Sequence, residues 1–351
     1  MVYIVQLPVI PVKEQVCAVV DILDSMLPMS APRGIQIFRG CREVYDPSDT
    51  GKIVVDLVQD HVPAEYHISL HAPFAAKSIV PFYRCDVEES KKMLHENFDL
   101  ARSIGAKDLI IHAGTVFYHP RASIPPEFEA YRWKNMTSSE RKNVTVTVCK
   151  NISDVARRYP DISLHVENMP APISFDTSDV KKCFLDPLLN SYISILDFFR
   201  ILHEQSDIEN IGLCFDTNHY LRTVSTLRMN DTTTALQEAL QGVKQDKHDN
   251  MLTELNTKDL RWIAEQLPEE IISVQVSDTI AWIQKGAPTR ALSLKEGPHW
   301  EEIKEFLKIL KKQNAHYERT IPLSFDIDEQ DYIARPHQRE SLELFLDEVG
   351  I

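Results

Sequence analysis

The sequence has few cysteines and no close pair of them. Its six cysteines are scattered through 351 residues, without a CxxC spacing anywhere in the chain. A disulfide framework or a zinc ribbon needs paired cysteines, so the pattern indicates reduced thiols in a reducing compartment. No apolar run approaches the roughly 18 residues that span a bilayer. We therefore expect a cytoplasmic protein that does not enter the membrane.

Glycine-rich phosphate loops are also missing. The first strand-like run, VYIVQL (2–7), leads into prolines, and neither GxGxxG nor GxxxxGK follows it. Dinucleotide-binding and P-loop folds place such a loop after their first strand. Their absence weakens a doubly wound open sheet as the fold of this chain.

Positive charge is scarce relative to negative charge. Lysine and arginine total 38 against 52 aspartates and glutamates, which gives a formal net charge of -14. Such a balance opposes binding to a polyanion unless basic residues cluster on one face. A small-molecule substrate is therefore favoured over nucleic acid, which stays an alternative.

Short apolar runs rich in β-branched residues alternate with longer amphipathic stretches along the whole chain. Residues 87–106 and 300–313 repeat apolar side chains at helical spacing, and Gly105 stands where a helix C-terminal cap belongs. The predicted strands are 2–7, 34–39, 67–72, 108–113, 162–168, 211–216, 271–277 and 321–327. Eight strand–helix units predict an α/β protein, a (β/α)8 TIM barrel formed by residues 1–351 as one domain.

Three connections are too long to be simple turns. Residues 115–136 are rich in aromatics and prolines, 169–190 are punctuated by proline and aspartate, and 228–258 form a polar insert with helical character. The first two follow strands, on the face where barrels carry their sites, so we predict that they are long βα loops at an active site. Arg121, Arg132 and Lys134 give the first loop basic groups that suit a phosphate or a sugar ring.

Potential metal ligands stand at the carboxyl ends of six consecutive predicted strands. In a barrel these ends converge around the axis. A single histidine at a strand end is more often a hydrogen-bonded wall residue, but several carboxylates gathered at one point repel each other unless a cation lies among them. The set therefore predicts a metal site, and it comprises His71, His112, Glu167, Asp216 with His219 just beyond it, Gln275 and Asp326. His165, one layer below Glu167, is interpreted as a core residue or a residue that orients the carboxylate.

The strand-end motifs resemble those of the xylose-isomerase-like TIM barrels, which include endonuclease IV and the sugar isomerases and epimerases. The motifs are LHAPF (70–74), IIHAG (110–114), VEN (166–168), CFDTNH (214–219) and VQVSD (274–278). They match most closely the endonuclease IV pattern of HAP, HxG, EN, DTxH and HxND. The resemblance implies that His71, His112 and Glu167 hold one metal and that Glu167 bridges to a second. It implies Asp216, Gln275 and Asp326 as the remaining ligands of that second metal.

Several positions depart from the endonuclease IV pattern. Gln275 replaces a histidine, Asp326 replaces a longer glutamate, and the positions expected to join His219 at a third metal become Thr289 and Ala291. A zinc site needs about three protein ligands. We therefore expect one or two divalent ions (Zn, Mn or Mg) per chain, without a third, and we expect His219 to hydrogen-bond substrate or a neighbour. His299 is a weak candidate for the missing imidazole.

Three functions stay open at this point. The first is a metal-dependent sugar or sugar-phosphate isomerase or epimerase that works through an enediolate, with Glu167 and Asp326 as acid and base and His219 binding a hydroxyl. The second is an endonuclease IV-like phosphodiesterase, which the retained His71 and His112 favour. The third is a barrel that keeps the scaffold without metal or activity.

Overall fold

The computed structural model describes eight segments of the chain. These segments are residues 1–38, 50–72, 87–113, 138–169, 192–205, 208–228, 258–279 and 291–351. The loop 115–136 lies outside the described residues, as do 170–190 of the second predicted loop and 229–257 of the polar insert.

Eight parallel strands close into one barrel in chain order. They are β1 (Tyr3–Val9), β2 (Arg33–Phe38), β3 (His67–His71), β4 (Asp108–His112), β5 (Ser163–Glu167), β6 (Ile211–Asp216), β7 (Ile271–Gln275) and β8 (Ile321–Ser324). Each predicted strand is present, shifted or shortened by a few residues at its ends. The predicted (β/α)8 barrel is therefore confirmed.

Helices surround the barrel and follow the strands along the chain. The described residues contain α1 (Lys13–Met26), α2 (Thr50–His61), α3 (Val87–Ser103), α4 (Ser138–Ala156), α5 (Tyr192–Gln205), α6 (Thr217–Arg228), α7 (Leu260–Gln266), α8 (Trp300–His316) and α9 (Pro336–Glu348). No helix within these segments is both long and apolar enough to cross a membrane.

Helix α3 shows how the sequence specifies these elements. Leu94, Phe98 and Ala101 recur at a spacing of three and four residues, and all three are buried against the barrel. Gly105 follows the helix with a positive φ of 71°, a backbone conformation that glycine adopts without steric cost. The chain then enters β4 directly.

The barrel closes through a ladder between its first and last strands. Tyr3 pairs with Ile321 in the β1–β8 ladder. The Tyr3 hydroxyl donates to the carbonyl oxygen of Leu307 at 2.6 Å, which joins α8 to a residue 304 positions away. This hydrogen bond attaches helix α8 to strand β1, and β1 closes the sheet by pairing with β8.

The inside of the barrel carries a chain of polar side chains where many barrels have branched apolar ones. The Gln6 amide donates to Ser69 Oγ at 2.9 Å, and Ser69 donates to Asp108 Oδ2 at 3.0 Å. The other oxygen of Asp108 lies 3.3 Å from His165 Nε2, and His165 Nδ1 lies 2.7 Å from Ser273 Oγ. We call these five residues the interior polar chain. It crosses the barrel from β1 to β7 below the strand ends.

Candidate metal centre

The predicted site residues lie at the carboxyl end of the barrel. His71, His112, Glu167, Asp216 and Gln275 are the last residues of strands β3 to β7. Asp326 comes two residues after β8, and His219 lies in the first turn of α6. Because all eight strands are parallel, their carboxyl ends lie at the same end of the barrel.

Two imidazoles contact one oxygen of Glu167. His71 Nε2 and His112 Nε2 each lie 2.9 Å from Glu167 Oε2. Only 2% of the Glu167 side chain is exposed, with 2% for His71 and 4% for His112. Potential ligand atoms of these three residues all lie within 4.8 Å of one another. They form the first ligand group.

The orientation of His71 matches that of a metal-binding histidine. Its Nδ1 lies 3.0 Å from the carbonyl oxygen of Ala72, which can only accept a hydrogen bond. Nδ1 therefore carries a hydrogen, and Nε2 is the nitrogen that faces Glu167 and His112. Metal-binding histidines usually donate their second ring N–H to a carbonyl or carboxylate in this way.

A second ligand group shares Glu167 with the first. It consists of Glu167, Asp216 and His219, again with potential ligand atoms within 4.8 Å of one another. His219 Nδ1 lies 3.1 Å from Glu167 Oε1, 3.8 Å from Asp216 Oδ2 and 2.8 Å from the carbonyl oxygen of Asn168. The nitrogen that faces both carboxylates thus donates to a carbonyl oxygen. In this arrangement His219 acts as a hydrogen-bond donor to its neighbours.

The charges of the first group depend on one another. Burial alone would raise the pKa of Glu167, but the adjacent His112, His219 and His71 hold it well below the usual range. Burial would lower the pKa of His71, yet its hydrogen bond to Glu167 raises it, whereas burial keeps the pKa of His112 below its ordinary value. The hydrogen bond to Glu167 thus favours the protonated form of His71, and burial favours the neutral form of His112.

Two carboxyls near the second group have raised pKa values. Burial raises the pKa of Asp216. Burial and the charges of Asp216 and Glu167 raise the pKa of Asp326 to about 7. For His219 the effect of burial is overcome by Asp216 and Glu167, which raise the pKa to about 9. Burial and the repulsion from neighbouring carboxylates thus raise the pKa of Asp216 and of Asp326, whereas Glu167 stays ionised.

Gln275 and Asp326 flank these groups. Gln275 is buried and pairs with Asp216 in the β6–β7 ladder. Asp326 is electrostatically coupled to Asp216, Glu167, His71 and His219, but among the described residues it belongs to neither ligand group. The structure thus brings His71, His112, Glu167, Asp216 and His219 into two adjoining groups, with Gln275 and Asp326 beside them.

The remaining candidates have other partners. His299 Nδ1 lies 2.7 Å from Oδ1 of the buried Asp278, which also accepts the His299 backbone N–H on its other oxygen at 2.7 Å. The backbone of Ala291 pairs with Asp328, whereas Thr289 lies outside the described residues. His165 belongs to the interior polar chain, and its contacts there are with Asp108 and Ser273.

The donor set fits a divalent transition metal. The first group offers two imidazole nitrogens and one carboxylate oxygen, the combination that catalytic zinc sites and non-haem iron sites use. The second offers mostly oxygen, which suits harder ions such as Mn²⁺ or Mg²⁺.

Asn168 belongs to the VEN motif, and the motif alone indicates no role for it. Its side chain bonds to the backbone of Asp216, and its carbonyl oxygen accepts from His219. A polar residue directly after a strand-end ligand was the available signal. Asp108 was missed because it opens a strand, far from the end where ligands were sought.

Solved structures share this architecture over nearly the whole chain. A D-tagatose 3-epimerase-like protein matches at a TM-score of 0.56 and 17% identity, over 99% of this chain and 98% of that one. The IOLI protein with a binding zinc atom matches at 0.55 and 13%, over 99% and 98%. A xylose isomerase-like TIM barrel fused to 4-hydroxyphenylpyruvate dioxygenase matches at 0.56 and 13%, over all of this chain and 43% of that one.

These matches confirm the resemblance at the level of fold. The chain has the fold of the xylose isomerase-like TIM barrels, and the low identities carry no statement about its reaction. No protein-family model matches the sequence, and no curated protein matches it either.

Proposed function

We propose that this protein is a divalent-metal-dependent enzyme that isomerises or epimerises a small sugar-type substrate. The observation that carries the proposal is the position of Glu167. Its buried carboxylate contacts His71 and His112 on one side and faces His219 and Asp216 on the other. A carboxylate shared by two ligand groups has few purely structural uses.

The residues that would hold the ion are His71, His112 and Glu167, with Asp216 and Gln275 beside them. A bound divalent cation would polarise a substrate carbonyl and its neighbouring hydroxyl, which acidifies the C–H bond between them. The chain's own contribution is to fix the ligands, since the carbonyl oxygen of Ala72 holds the His71 ring in place.

Asp326 and Glu167 are the proposed acid and base. In the metal-free protein, burial and the neighbouring carboxylates raise the pKa of Asp326, the direction expected of a group that accepts and returns a proton near neutrality. Glu167 has a pKa well below the usual range, so it enters the reaction as a carboxylate. His219, whose Nδ1 donates to the carbonyl oxygen of Asn168, is the proposed partner of a substrate hydroxyl.

Two further observations support a small hydroxylated substrate. A D-tagatose 3-epimerase-like protein is among the similar structures, and tagatose is a sugar. The net charge of -14 disfavours a long polyanion.

The test combines metal content with proton exchange. Purified protein is analysed for bound metal, then incubated in D₂O with ketoses and ketose phosphates while NMR follows exchange of the hydrogen on the carbon beside the carbonyl. We expect exchange by the metal-loaded protein and its loss in Glu167→Gln and Asp326→Asn. Asp161→Asn, on an exposed ion pair with Arg102, is the matched control and should retain exchange.

A phosphodiesterase is the second candidate, supported by the pair His71 and His112. Two adjoining metal positions that share a carboxylate can activate water and clamp a phosphate. Cleavage of a duplex with an abasic site, without exchange on any ketose, would replace the first proposal with this one. Protein that binds no divalent metal under any loading condition would refute both and leave a non-catalytic barrel.

A further inference from the structure

We infer that Asn168 is a positioning residue that sets the geometry of the metal centre from the end of β5. This inference rests on the proposed metal-dependent function. Asn168 follows Glu167 in the chain and is itself 1% exposed. Its four polar groups bond to three residues of β6 and α6, two of which, Asp216 and His219, are other members of the site.

The side chain of Asn168 continues the hydrogen bonding between β5 and β6 beyond the end of their ladder. The last register pair between β5 and β6 joins Glu167 to Cys214, and Asn168 N donates to Cys214 O at 3.3 Å. Asp216 lies two residues further along β6. There the Asn168 side chain accepts the Asp216 N–H on Oδ1 at 2.6 Å and donates from Nδ2 to the Asp216 carbonyl at 3.0 Å. A side-chain amide thus pairs with Asp216 as a backbone amide would.

The same residue also orients His219. The Asn168 carbonyl accepts from His219 Nδ1 at 2.8 Å, which assigns the hydrogen to that nitrogen. Asp216 Oδ1 accepts the backbone N–H of His219 at 2.9 Å, as an N-cap residue does at the start of a helix. Asn168, Asp216 and His219 therefore form a closed set of contacts, and a change at Asn168 alters both other members.

The contacts of Asn168 set the distances from Asp216 and His219 to the Glu167 carboxylate. Glu167 is bonded covalently to Asn168, so each contact of Asn168 fixes Asp216 or His219 relative to the shared carboxylate. The side-chain amide extends the contact between these two segments from Cys214 to Asp216. Residues that orient metal ligands through hydrogen bonds typically change affinity by ~10–100-fold when removed.

Asn210 is the matched control. It precedes β6 at the opposite end of the same two strands, and its Nδ2 donates to the carbonyls of Tyr159 at 3.1 Å and Ile162 at 2.8 Å. Asn210→Ala therefore removes two side-chain hydrogen bonds between the segments that precede β5 and β6, at the end of the barrel opposite the site. Loss of stability alone should be similar in Asn168→Ala and Asn210→Ala.

The experiment uses Co²⁺ as the probe. Wild-type protein, Asn168→Ala and Asn210→Ala are stripped of metal and titrated with Co²⁺, while affinity and the visible absorption spectrum are recorded. Unfolding midpoints in chelator report stability. We expect Asn168→Ala to bind Co²⁺ ~10–100-fold more weakly with an altered spectrum. Asn210→Ala should match wild type in both, although its midpoint falls.

The outcomes separate the two levels of proposal. Wild-type protein that does not bind Co²⁺ refutes the proposed metal centre itself. If wild type binds and Asn168→Ala has the affinity and spectrum of Asn210→Ala, the metal centre stands and the positioning role is wrong. Should Asn168→Ala fail to fold, Asn168→Asp retains the oxygen that accepts from Asp216 and loses the donor. An unchanged Co²⁺ spectrum in that variant would equally refute the inference.

Discussion

Replacing Asp108 by asparagine tests whether the interior polar chain stabilises the barrel. Asp108 Oδ2 accepts from Ser69 and contacts His67 Nε2, and Oδ1 lies 3.3 Å from His165 Nε2. The new amide has one acceptor oxygen and one NH₂ group. Its less costly orientation keeps the oxygen on His67 and Ser69 and turns the NH₂ group toward His165. One buried contact and the charge are then lost.

The magnitude follows from burial. Removing one partner of a buried ion pair typically costs 3–5 kcal/mol, and an isosteric change that keeps two contacts belongs near the lower end, about 3 kcal/mol. The control Asp161→Asn acts on an exposed pair with Arg102, whose side chains are 53% and 48% exposed. Exposed pairs of this kind contribute little to stability.

The pH dependence has a defined sign. Burial alone would raise the pKa of Asp108, but His165 and His67 hold it well below the usual range. A lowered folded-state pKa adds stability above the unfolded value of about 3.9, and this stability is lost as pH falls below it. The difference between wild type and Asp108→Asn should therefore be full at pH 7 and shrink below pH 4.

Urea unfolding followed by circular dichroism, with chelator present, measures the difference in free energy of unfolding. Comparison of midpoints at pH 7 is sufficient if intermediates are populated, as they often are in proteins of this size. A loss no larger in Asp108→Asn than in Asp161→Asn would show that the interior polar chain contributes nothing through this charge.

Three further predictions concern the site. Glu167→Gln should abolish binding at both metal positions, because it neutralises the carboxylate that the two ligand groups share; equilibrium dialysis that finds one ion still bound would contradict this. Asp216→Ala should lose metal, whereas His219→Ala should retain near-normal content by elemental analysis; a structure with an ion on His219 and two further protein ligands would overturn it. In metal-free protein, the pKa of about 7 at Asp326 means that stability falls as pH rises from about 4 toward 7. The stability of Asp326→Asn relative to wild type should therefore be higher at pH 8 than at pH 5. Equal differences at both pH values would refute the assignment.

The sequence was sufficient to predict the barrel and the rim of the site. Each apolar run appears as a strand because burial on both faces of a parallel sheet requires continuous apolar residues. Since parallel strands end on one side, the last residues of β3 to β7 could be assigned to a common pocket before any coordinates were known. That prediction depends only on the order of the strands in the chain and on their parallel direction.

The contacts within the site could not be predicted in this way. Which oxygen of Glu167 meets His71 and His112 depends on side-chain rotamers and on the stagger between strands. The pairing of Asn168 with Asp216 arises because β5 stops pairing two residues before β6 ends, and strand ends are the least predictable feature of a sequence. The interior polar chain was missed because Asp108 opens an apolar run and resembles a turn residue there.

The ladder between β1 and β8 has a consequence for how the chain folds. The other seven ladders join strands that are neighbours in sequence, so they can form while the chain is short. Closure requires residues such as Tyr3 and Ile321 to meet across almost the whole polypeptide, and contacts between distant residues form late because they cost loop entropy. During synthesis β1 therefore has an unpaired edge until β8 has left the ribosome. We expect amide protection in these two strands to appear last during refolding.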